Sequence, residues 1–144
     1  MSKLVSVIGP VGTRSGYGSH ARDIVISLLD LGYEVKTLPI RWGNTPQNAL
    51  DTNNERDNRI IETLVVDGKI DTQPDMHFHI SVPIEFQQVG KINIGITAGV
   101  EWTIPNPQWV DAMNFVDYNL VPSHFVKDVF TNCQFDFVDP QTQQ

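Results

Sequence analysis

Apolar positions recur along this chain in two rhythms, and the alternation between them predicts its elements. Residues 3–8 form a nearly continuous β-branched run closed by Gly9-Pro10, the pattern of a strand buried on both faces of a parallel sheet. Residues 11–18 (Val-Gly-Thr-Arg-Ser-Gly-Tyr-Gly) break the rhythm and read as a loop. Ser19 then offers a hydroxyl N-cap to a helix whose apolar positions Ala21, Ile24, Val25, Leu28 and Leu29 recur at three and four, with Gly32 as its C-cap. Residues 33–40 alternate as a second strand and complete a strand–helix–strand unit.

Residues 41–54 are turn-rich and read as an ordered surface loop. The spacing of Ile60, Ile61, Leu64 and Val65 predicts a helix over 55–66, closed by Asp67-Gly68. Strands are predicted at 74–82 and 91–97, a helix at 109–116 and a fifth strand at 118–122. Ser123 then caps a last helix through Val126, Val129 and Phe130. This alternation predicts an α/β fold: a Rossmann-like open, mostly parallel sheet with helices on both faces, filling residues 1–133. Residues 134–144 fit no element and are expected to be an irregular tail marking a truncation point.

Composition narrows the function classes. The 144 residues suit one domain, and 40% hydrophobic with 19% charged residues is ordinary for a globular chain. Ten Lys and Arg against 17 Asp and Glu give a formal charge of -7 with no segregation of sign, which argues against nucleic acid or an anionic membrane as partner. The apolar run near the amino terminus is too short for a signal peptide or a membrane span. A lone cysteine, Cys133, forms no internal disulfide and is expected to fill space; a reducing, cytoplasmic setting follows as the expectation.

The loop after the first strand holds the candidate chemistry. In open α/β sheets ligands sit at the carboxyl ends of strands, where a glycine-rich loop and a helix N-terminus present backbone N–H groups. Gly9, Gly12, Gly16 and Gly18 would allow close approach to a phosphate or sugar, with Ser19 and His20 beside them and Arg14 as a mobile charge. The alternative is that these glycines only make tight turns. Neither the dinucleotide fingerprint nor a Walker loop is present, and no acidic residue ends the second strand for a ribose. No nucleophile-elbow frame surrounds Ser15. Glu101, just past the fourth strand, would face the same cleft, with Trp102 able to stack on a sugar or base; the alternative is a capping role or an ion pair with Arg14 or Arg41. His77 and His79 share one strand face but lack a third ligand, so no metal site is expected.

With those residues in place, the chain resembles the amino-terminal half of a GT-B glycosyltransferase of the family 4 type, in the group carried by tailed phages. Five stretches carry the likeness, in family order: Gly9-Pro-Val-Gly-Thr-Arg-Ser-Gly-Tyr-Gly-Ser-His-Ala-Arg-Asp23, Arg41-Trp-Gly-Asn-Thr-Pro46, Val82-Pro-Ile-Glu-Phe-Gln87, Asn93-Ile-Gly-Ile-Thr-Ala-Gly-Val-Glu101 and Val121-Pro-Ser-His-Phe-Val-Lys127. The resemblance implies the acceptor side of a two-domain enzyme that moves a sugar from a UDP- or GDP-sugar to an acceptor glycan or other hydroxyl, with no tightly bound cofactor. It carries over Gly16 and Gly18 as donor-facing glycines, Ser19, His20 and Arg14 beside them, and Glu101 as the acidic group near the acceptor. The resemblance implies a donor-binding carboxy-terminal domain that has no counterpart in these 144 residues, so this chain alone is expected to be inactive until completed in cis or in trans. A non-catalytic Rossmann-like binding or assembly module is the alternative. Interdomain surface left bare predicts an exposed apolar patch at Trp102, Ile104 and Trp109, and with it self-association.

Overall fold

A computed structural model describes residues 2–99, 102–136 and 141. Its five strands are β1 (Leu4–Gly9), β2 (Glu34–Pro39), β3 (Met76–Ile80), β4 (Ile92–Ile96) and β5 (Tyr118–Leu120). They form one sheet in the order β2-β1-β3-β4-β5, and every pairing is parallel. Helices α1 (Gly16–Asp30), α2 (Glu55–Ile61), α3 (Pro107–Asn114) and α4 (His124–Thr131) flank it, with a 3₁₀ turn at Pro83–Glu85. The fold is thus the Rossmann-like open sheet that the alternation of rhythms predicts, and no described helix is long and apolar enough to cross a membrane.

Register separates the two faces residue by residue. Val5, Val7 and Ile80 point with Ile96 into one core, closed by Ala21, Val25 and Leu28 of α1 and Ile60 of α2. Gly9 lets α1 approach: a Cβ there would lie 3.1 Å from the Ala21 Cβ. The ion pairs Arg56–Asp23 and Arg59–Asp30 run between α2 and α1 at their exposed flanks. On the opposite face, Phe86, Met113 and Val116 make a smaller core with Val121 and Phe130. Gly95 makes room for it, since a Cβ there would sit 2.2 Å from the Phe86 ring. Asn119, in register with Gly95, donates to the Met113 carbonyl at 2.8 Å and pins α3 to this side.

Several boundaries differ from the sequence expectation, most plainly those of the helices. The N-cap of α1 is Ser15, not Ser19; the Ser15 hydroxyl accepts from the Gly18 N–H at 2.9 Å, so the helix begins with glycines that the apolar periodicity does not reveal. α2 stops at Ile61 instead of Val66, because Leu64 leaves the helix to form a parallel bridge with Thr37 at the sheet edge. α3 starts at Pro107, capped by Asn106, two residues before the predicted start. Trp102 and Ile104 are exposed as anticipated for the apolar patch, whereas Trp109 is half-buried. Most of the tail, residues 137–140 and 142–144, lies outside the described residues.

Candidate functional site

The loop between β1 and α1 is built on its own hydrogen bonds. The Thr13 N–H and hydroxyl both donate to the Pro10 carbonyl, and the Thr13 hydroxyl meets that of Ser15 at 2.8 Å. Arg22 reaches back from α1 to donate to the Val11 and Thr13 carbonyls at 2.9 and 2.8 Å, and to the Ser19 hydroxyl at 3.2 Å. This side chain holds the loop on its helix, a role the sequence reading did not assign.

The candidate glycines now separate. A Cβ on Gly18 would fall 2.3 Å from the Thr13 carbonyl oxygen, so this glycine is required by the packing of loop on helix. Around Gly16 nothing lies within 4 Å of a Cβ position. Gly16 is therefore the position at which a ligand could meet bare backbone in the first turn of α1. Arg14 is not a mobile charge: its guanidinium donates to the Asn48 side chain at 2.8 Å and to the Asn48 carbonyl at 3.2 Å, tying the loop to residues 41–50. Ser19 and His20 are both exposed in the first turns of α1. Glu101 lies outside the described residues; the preceding Gly99 takes φ +80 and packs against Val126.

What joins the carboxyl-end loops is Tyr17, which sits between Gly16 and Gly18. Its ring stacks on Trp42 with centroids 4.2 Å apart. Its hydroxyl pairs with the Thr97 hydroxyl at 3.1 Å and accepts from the Ala98 N–H at 2.9 Å. One side chain thereby fastens the loops that follow β1, β2 and β4. The sequence signal was an aromatic residue placed in a glycine loop, where small residues suffice for a turn.

The paired histidines lie on the far side of the sheet from α1. Both are buried, their rings are 5.8 Å apart, and the Ser6 hydroxyl pairs with His77 Nδ1 at 2.7 Å. His77 Nε2 and His79 Nδ1 have no partner. Burial pushes each imidazole down to about 4; the neighbouring His79 lowers His77 further, while Glu85 works against the shift at His79. Both are thus neutral at pH 7. No group of three ligating side chains that could hold a metal occurs among the described residues. Cys133 is half-buried and its thiol donates to the Phe130 carbonyl at 3.1 Å.

Comparison with protein-family models, with curated proteins and with solved structures returns no match to this chain.

Proposed function

We propose that this domain is the acceptor-side, amino-terminal half of a GT-B glycosyltransferase of the family 4 type, competent for sugar transfer once a donor-binding domain completes it. The observation that carries the reading is the Tyr17 tie. Three of the five family-like stretches, far apart in sequence, meet through it at the carboxyl edge of the sheet, where open α/β folds bind ligands. Next to it Gly16 leaves backbone open to a ligand.

In this reading the acceptor hydroxyl attacks the anomeric carbon as the bond to the donor's phosphate oxygen breaks. The departing diphosphate gains negative charge, which N–H donors of the first turn of α1 and positive groups of the completing domain stabilise. The acceptor's proton passes to a base, with Glu101 and His20 as candidates from this chain. Tyr17 and Trp42 act as positioning residues by fixing the loops around the acceptor.

The test is calorimetric titration of the full chain with UDP, GDP and their sugar conjugates, in parallel with Gly16→Val. Saturable binding at millimolar strength or tighter, lost in Gly16→Val with an unchanged thermal melt, is the expected result. No heat with any of these ligands would favour the non-catalytic module instead.

A further inference from the structure

Beneath the carboxyl ends of β1, β2 and β3, on the face away from α1, lies a cleft of about 810 Å3 that the transferase reading does not use. Its floor is set by register: Leu38, Ile8 and His79 stand side by side on three adjacent strands. The missing side chain of Gly95, next in the same row, admits the Phe86 ring, which stands 5.7 Å from the His79 ring and forms one wall. Arg41 lines the rim beside Ile40, and Glu85 lines it from the 3₁₀ turn.

Three polar groups define what would fit. His79 is 2% exposed and its Nδ1 is buried without a partner. A proton on that atom would bury an orphaned N–H donor, so the proton belongs on Nε2, which leaves this cleft-lining side chain one N–H to donate. Arg41 is exposed and forms no ion pair among the described residues. Glu85 accepts a hydrogen bond from the Ser81 hydroxyl, and its negative charge on the same rim disfavours a doubly charged guest.

We propose that this cleft is a binding site for a small planar aromatic monoanion: its ring lies against Phe86 and the Leu38–Ile8 floor, an acceptor oxygen meets His79 Nε2–H, and its charge meets Arg41. The volume is in the range of ordinary small-molecule sites, mostly apolar with a few convergent polar groups. Aromatic faces supply contact energy at low entropic cost, and a charge-assisted bond to Arg41 fixes orientation.

An amide-resolved NMR titration of the full chain with 2-naphthoate tests this. Saturable shifts confined to amides of residues 38–41, 65–68 and 84–87 are expected, with neutral 2-naphthamide binding about tenfold more weakly. Arg41→Gln, at an exposed position, should abolish that difference. His79→Phe, which keeps the ring but removes the donor, should weaken both probes by a similar factor of about three to ten with the remaining spectrum unchanged. Equal binding of the charged and neutral probes to the unsubstituted chain would overturn the proposal. So would shifts elsewhere in the chain, or tighter binding of the doubly charged nucleotide UMP than of naphthoate. If His79→Phe fails to fold, the naphthoate-to-naphthamide ratio and its loss in Arg41→Gln still decide.

Discussion

The two faces of this sheet are made by alternate residues of the same strands, yet they are built to different ends. Toward α1 stand Val5, Val7, Ile80 and Ile96, with Val25 and Ile60 packed on them, an apolar core fully withdrawn from water. Away from α1 stand Ser6, His77, His79, Asn93 and Gly95: hydroxyl, imidazole, amide and an absent side chain. The first face stores stability. The second spends some of it, since two of its buried nitrogens are left unpaired. Asn93 is the exception that shows how such a face is made tolerable: its side-chain oxygen accepts from the Val89 and Gly90 N–H groups while its amide donates to the Gly90 carbonyl.

If the division is right, acid should attack only the polar face, and strongly. The unfolded chain protonates its histidines near 6.5 while the folded one holds His77 and His79 neutral to about 4. The unfolded state therefore binds more protons across that window, so stability falls as pH drops through it, by about 3 kcal/mol for each histidine. Urea unfolding at pH 7.5, 5.5 and 4.5 measures the slope. His79→Phe should remove about half of it, and parallel curves for the two chains would count against the division.

The apolar face is broken by Ile80→Ala, which opens a cavity at a fully buried position and should cost about 3 kcal/mol. The loss should be the same at pH 7.5 and 5.5, because no titrating group on that side feels it. A loss that grows in acid would show the two faces to be coupled.

A smaller effect sharpens the contrast at the edge where both faces end. Gly18→Ala forces a methyl onto the Thr13 carbonyl and should destabilise by about 1–3 kcal/mol. Gly16→Ala, two residues earlier in open space, should change stability by less than about 0.5 kcal/mol. Paired thermal melts of the two variants check it; equal losses would contradict the distinct roles assigned to the two glycines.

Most of the fold was legible because its strands are short segments, continuous or alternating in apolar residues and flanked by glycine and proline, and its longer helix has a clear amphipathic stripe. The start of α1 was not, since Gly16 and Gly18 are poor helix formers and the cap acts before any apolar residue appears. The end of α2 was not either: Leu64 and Val65 keep helical spacing, but Thr37 offers them a bridge at the sheet edge that only the tertiary structure reveals. In the candidate site, the glycine loop was visible as a loop, while the division of labour among its glycines depended on what lies opposite each Cβ. Tyr17, Trp42 and Thr97 were out of reach for a related reason, being separated by up to 80 residues in sequence and joined only in space. Glu101 lies outside the described residues, so its place rests on the sequence.

The Ala98 amide, finally, is a clock for the whole edge. Ala98 is exposed, and its N–H is bonded to a side chain rather than to a strand. Its exchange with solvent deuterium is slowed only while the Tyr17 hydroxyl stays in place, and that hydroxyl stays while Trp42 backs the ring. A single proton's exchange rate thus records how often three loops let go of one another, and anything that settles among them will be timed by it.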